Sequence, residues 1–336
     1  MDIFREFAQQ ILFEYLPEPH GSLLAGILLG IKSSLSTQFY NDLIKTGTVH
    51  IVAASGFNIT IVAKVVIETT SKIANRKYAL VFSFIFIWIY AWIAGFSAAV
   101  TRAALMGTIA FTAQLVGRKY LPTWSLIVSG VVMVLFDPEV IKNVGFWLSV
   151  SATAGILWLT DDNYTGGTLS FEKNLIKKGF ASKPETHQLV FSSVLEEVVS
   201  TIKLMLWSDF KTTLAAQIAT FPILFVVFGY IPILSVFINL MILWLIPVVM
   251  FMGVFKLFMG IVSGIVNKVM GNLLFSVLDF IVLIIQMGAK MPFVGYDASQ
   301  LMSQLHLFDK VIVCFVWYIG IFLLVSHFKT SSDDSV

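Results

Sequence analysis

The chain has 336 residues, of which 57% are hydrophobic and 12% charged, and its mean hydropathy is +0.87. An ordinary soluble domain carries about 25% charged residues, so the chain reads as an integral membrane protein rather than a soluble domain. Its 22 basic and 20 acidic residues leave a net charge of +2, with no global pull on a polyanion, and the single cysteine, Cys314, excludes an intrachain disulfide.

In MDIFREFAQQILFEYL the apolar residues fall at 3, 4, 7, 8, 11, 12, 15 and 16, one helical face. This places an amphipathic helix over residues 1–19, lying along the membrane surface. The next apolar run, Gly21 to Ile31, is too short to cross a bilayer and reads as a re-entrant or buried piece. About nine spans follow, over 48–67, 78–96, 98–117, 122–136, 143–160, 211–228, 231–254, 272–289 and 307–327. Between the fifth and sixth lies a polar loop with Gly166, Gly167 and Pro184, then a second amphipathic helix in LVFSSVLEEVVSTIKLML. The fold class is thus an all-α polytopic membrane protein with two surface amphipathic helices and a short re-entrant segment. Its domains are the interfacial helix, a membrane domain over 20–330 with a cytoplasmic insertion at 161–206, and a polar tail at 331–336.

Basic residues set the orientation. Lys72, Arg76 and Lys77 mark the loop after the first span, Arg118 and Lys119 that after the third, and Lys173, Lys177 and Lys178 the long loop. Lys256 and Lys268 are read as lying between spans seven and eight, and Lys329 follows the ninth. Every second loop is basic, which places the C-terminus in the cytoplasm and residues before 48 outside.

Strongly polar residues within spans are costly and mark a bundle interior or an aqueous path. On a rise of about 1.5 Å per residue, His50, Ser55, Asn58, Arg102 and Trp147 fall in the outer half, Asn239 and Asp279 near the midplane, and Gln217 toward the inner side. Arg102 either joins this series or snorkels from a helix end. Asp279 either pairs with Arg102 or lines the path. His50 and Ser55 do not meet on a continuous helix, where five residues turn about 500°, although a break at Ser55-Gly56 changes that. AASG resembles the GASG serine motif of rhomboid intramembrane proteases, which need a histidine on a later helix; His187, His306 and His327 lie in loops or at helix ends. No Gly-rich phosphate loop or metal-spaced His/Cys cluster appears, so no cofactor or catalytic constellation is expected.

Four blocks then carry a family resemblance. LLAGILLGIKSSLSTQFYNDLIKTGTVHIVAASGFNITIVA resembles the opening block of the ComEC competence proteins, with its TGTxHxxAxSGxH-type motif. GFSAAVTRAALMG is similar to their SPSxxRAxxM block, NVGFWLSVSATAGI to DPGFQLSxxATxGI, and TTLAAQIATFPILFVVFGYIPILSVFINLMILWLIPVV to the later AQxxTxP…NLxxxP block. Asn58 stands where the family usually has a second histidine, Ala98 and Ala99 replace Pro-Ser, and Trp147 replaces a glutamine. The resemblance implies motif positions at His50, Ser55, Gly56, Arg102, Gln217, Pro222 and Asn239. The family's extracytoplasmic OB-fold and metallo-β-lactamase-like domains have no counterpart in these residues, and the first amphipathic helix looks like the segment that follows the OB-fold.

The implied function is a channel in the cytoplasmic (inner) membrane that takes up single-stranded DNA in natural transformation. Its expected partners are DNA, membrane lipid, a cytoplasmic motor or nuclease that supplies the driving force, and extracytoplasmic DNA-delivery proteins. His50, Asn58 and Arg102 would contact the backbone near the outer mouth while aromatic side chains stack on bases. One alternative is a proton-coupled secondary transporter, with Arg102 binding a small anion and Asp279 carrying the proton. Another is an intramembrane serine hydrolase using Ser55.

Overall fold

The segment HGSLLAGILL is apolar on every side, so it is stable only where other helices surround it. The computed structural model describes residues 2–160, 210–292, 294–298, 300, 304 and 306–333, and in it this segment is α2 (His20–Leu29), with all ten residues buried. The expected short apolar piece is therefore a core helix. α1 (Asp2–Phe13) packs against it, and the buried residues Ala8, Ile11 and Leu12 spend the apolar face of α1 on protein.

α3 (Thr37–Thr46) begins at Ser36, whose hydroxyl accepts from the Phe39 N–H, and ends at Gly47 with φ 69°. The chain then departs from the expected first span. A single 3₁₀ turn (Val49–Ile51) is followed by non-helical residues 52–55, and α4 (Gly56–Thr70) starts only at Gly56. The polar residues of the motif thus lie at a helix start and in the turn before it, not along a continuous helix. α5 (Arg76–Ile93) pairs with α4, and α6 (Ala98–Leu115) packs on both. α7 (Pro122–Phe136) and α8 (Val144–Leu159) close this half around Met133, Val140 and Phe146. On α5, Val81, Phe82, Ile85 and Ile89 stay exposed, as on a helix that faces lipid.

The second half opens with α9 (Phe210–Phe228). α10 (Ser235–Ile242) runs through a 3₁₀ turn (Leu243–Leu245) into α11 (Ile246–Val262), and α12 (Gly264–Ala289) follows after Ser263 alone. α13 (Leu307–Asp333) is last. Strands β1 (Tyr230–Ile231) and β2 (Tyr296–Asp297) form a two-residue antiparallel pair, Tyr230 opposite Asp297. α2 lies against α11 and α12, where Leu23, Leu24 and Ile27 share a core with Ile242, Leu274, Leu278 and Ile281. Lipid is as apolar as leucine, so close packing and internal hydrogen bonds, rather than escape from water, hold such a core together.

Among the described residues four helical stretches are long and apolar enough to cross a membrane: Arg76–Ile93, Phe210–Phe228, Ser235–Gly260 and Gly264–Ala289. Three shorter apolar helices, His20–Leu29, Pro122–Phe136 and Val144–Leu159, accompany them. The long loop and the second amphipathic helix, including Lys173, Lys177, Lys178 and His187, lie outside the described residues. Lys256 is not a loop residue. It sits inside α11, fully buried, with its Nζ donating to Ile11 O at 2.7 Å, Glu14 O at 2.9 Å and Asn267 Oδ1 at 2.6 Å. It gives no orientation signal; it ties the end of α1 to α11 and α12.

Candidate functional site

A helix ending inside a bundle leaves its last four carbonyls without intrahelical partners. In α2 the Gly26 carbonyl accepts from the Gly30 N–H at 3.0 Å, and side chains from three other helices take the rest. Asn58 Nδ2 donates to Ile27 O at 2.9 Å, the Tyr90 hydroxyl to Leu28 O at 3.2 Å, and an Arg5 terminal nitrogen to Leu29 O at 2.8 Å. Arg5 Nε also reaches Ile93 O at 3.1 Å, so one guanidinium closes the carboxyl ends of α2 and α5. A cation is favoured at both of these negative dipole ends.

Asn58 is 3% exposed and its hydrogen-bonding capacity is used. Besides Ile27, its amide donates to the Tyr90 hydroxyl at 3.0 Å, and its Oδ1 accepts from the Ser55 hydroxyl at 3.2 Å. Ser55 stands at the N-cap position of α4 yet its side chain accepts no capping bond from the helix backbone. No hydrogen bond joins it to His50, which is exposed and whose Nδ1 lies 3.2 Å from Gly47 O.

Arg102 approaches from α6. It is 7% exposed; one terminal nitrogen donates to the Thr153 hydroxyl of α8, while its Nε has no partner. A Cβ built on Gly56 would stand 3.1 Å from the other terminal nitrogen of Arg102 and 3.1 Å from the Ala103 Cβ. Glycine at 56 is what lets the guanidinium lie against the first turn of α4.

The remaining predicted residues are placed apart from this junction. Asp279 pairs with His20, Nε2 to Oδ1 at 3.1 Å, and not with Arg102; its side chain is 53% exposed. Asn239 is 1% exposed with an unpartnered Oδ1. Gln217 is half-buried on α9. Trp147 is exposed, and its Nε1 donates to Ile141 O at 2.7 Å, holding the preceding 3₁₀ turn to the start of α8. Arg5, Tyr90 and Thr153 complete the arrangement from outside the predicted set. Arg5 carried a readable signal, since it shares the helical stripe of Ala8 and Leu12, where a charge has no place unless it is used.

Apolar helices, polar groups gathered at a broken helix and a buried cation with no carboxylate partner among the described residues define a multi-helix membrane protein with an internal polar site. The family described as Competence protein matches residues 27–329. The chain therefore belongs to the ComEC family of competence proteins, and that membership points to a role in DNA uptake. No curated protein and no solved structure matches it.

Proposed function

We propose that this chain forms a helical path by which single-stranded DNA crosses the cytoplasmic membrane in natural transformation. The observation that carries the reading is Arg102, a buried guanidinium with no ion-pair partner among the described residues, held within the helices of a competence-family chain. A polyanion in transit needs contacts that replace water at each phosphate and then release it. Sparse cations favour passage over capture, and Arg102, with the exposed His50 on the 3₁₀ turn that precedes α4, fits that need. The Ser55 hydroxyl is committed to Asn58 and not to an imidazole, which supports a path rather than a serine hydrolase. The basic loops at Lys72, Arg76 and Lys77 and at Arg118 and Lys119 support a cytoplasmic C-terminus. The driving force then comes from a cytoplasmic motor or nuclease, and the DNA from extracytoplasmic delivery proteins.

The test is transformation by cells carrying Arg102→Ala or His50→Ala at matched protein levels. Loss of a charge-assisted contact worth ~1.5–3 kcal/mol lowers uptake about 10- to 100-fold for Arg102→Ala. Full transformation by both variants ends the reading. The His20–Asp279 pair favours a second reading, a proton-coupled anion transporter, because it places an ionisable couple inside the apolar helices.

A further inference from the structure

Two positive features meet at the amino end of α4, and among the described residues no carboxylate pairs with either. The N–H groups of Gly56 and Phe57 have no hydrogen-bond partner among the described residues, and Ser55 turns its hydroxyl to Asn58 instead of capping the helix. Such an end carries the equivalent of roughly half a positive charge. The guanidinium of Arg102 lies against this same turn, with one terminal nitrogen 3.1 Å from where a Gly56 Cβ would stand.

A desolvated cation beside the positive end of a helix is unfavourable twice over, by its lost hydration and by repulsion. Every other buried charge described above is answered. Lys256 has three acceptors, and Arg5 has two carbonyls at helix carboxyl ends. Arg102 has one hydroxyl, on Nη1. Its Nε has no partner, and Nη2, the other arm of the side fork of the guanidinium, lies toward the first turn of α4 with no hydrogen bond among the described residues. Two parallel N–H donors in that fork match two oxygens of a tetrahedral anion, and unpaired amides at a helix start complete the same cradle.

We infer that Arg102 and the amino end of α4 form a binding site for one phosphate group, with Thr153, whose hydroxyl donates to Ser149 O at 3.0 Å and accepts from Nη1, holding the guanidinium in place. A DNA phosphodiester and a phospholipid headgroup offer the same oxygens, so only the bearer of the phosphate rests on the DNA-passage reading. Gly56 is a positioning residue, because a side chain there enters the wedge between fork and helix.

The experiment uses the full chain, purified in nonionic detergent. Fluorescent oligothymidylate is titrated by anisotropy at several salt concentrations, beside an uncharged methylphosphonate oligothymidylate, and retention of phosphatidylglycerol is followed by native mass spectrometry. Wild type binds oligothymidylate and not the methylphosphonate. Arg102→Gln weakens binding about tenfold, as for one charged hydrogen-bonded contact, and flattens the slope of log K against log salt by about 0.7. Gly56→Ala weakens binding with all charges retained, and it serves as the test if Arg102→Gln does not fold. Equal binding by wild type, Arg102→Gln and Gly56→Ala overturns the site, as does failure of wild type to bind any phosphate-bearing probe. Retention of phosphatidylglycerol that depends on Arg102, without oligothymidylate binding, upholds the phosphate site and overturns the DNA reading.

Discussion

Replacing Asn58 with alanine strips the Ile27 carbonyl of its partner and removes a donor from Tyr90. A buried carbonyl left unpaired costs about 1–3 kcal/mol, so Asn58→Ala destabilises the folded state by about that amount. Tyr90→Phe orphans Leu28 O in the same way and costs about the same. The two changes share one bond, Asn58 Nδ2 to the Tyr90 hydroxyl, so the double variant is less destabilised than the sum. Interhelical hydrogen bonds in membranes couple by about 0.6 kcal/mol on average and up to about 1.7, and that is the expected shortfall. The assay is reversible unfolding in mixed dodecyl sulfate and maltoside micelles, followed by tryptophan fluorescence, for all four proteins of the cycle. An Asn58→Ala protein as stable as wild type, or strict additivity in the cycle, would show that Asn58 is not the cap of α2.

Lys256→Met leaves three acceptors unpaired around Ile11, Glu14 and Asn267. At about 1–3 kcal/mol for each unpaired buried acceptor, it should cost about 3 kcal/mol or more, with protease cleavage near residues 11–18 as the readout. A Cβ on Gly155 would lie 2.7 Å from Ala215 O, whereas one on Gly130 meets nothing within 4 Å. Gly155→Ala should therefore destabilise by about 1–3 kcal/mol and Gly130→Ala should not, measured by the same unfolding assay. Asp279 is half-exposed, so Asp279→Asn should cost no more than about 1 kcal/mol and leave transformation at wild-type frequency; loss of uptake with intact stability would favour the proton-coupled reading.

Composition and hydropathy made the helices legible. The helix expected over 122–136 is found as Pro122–Phe136, and that over 211–228 as Phe210–Phe228. Periodicity does not report what occupies the volume beside a residue, and there the reading diverged. Lys256 reads as a loop charge because nothing near it in sequence shows that residues 11 and 14 supply its acceptors. Asp279 draws the eye to Arg102, another charge within an expected span, yet it meets His20, 259 residues away in sequence. The run from 48 to 55 is apolar enough to pass for helix, but two threonine hydroxyls 2.8 Å apart and the left-handed Gly47 break it. The junction of Ser55, Gly56, Asn58 and Arg102 was visible as a set of residue types. Its geometry required knowing that α2 ends there.

The clamp on the N-terminal helix also sets an order in time. The Nζ of Lys256 that secures Ile11 is encoded 245 residues later. At a synthesis rate of about 5–20 residues per second, that delay is about 12–50 s. The helix of residues 2–13 is thus locked only after residue 256 has been made, and a nascent chain stalled short of residue 256 carries the Ile11 and Glu14 carbonyls open in the membrane. Truncated chains of this kind are where membrane quality-control proteases should find their earliest substrate.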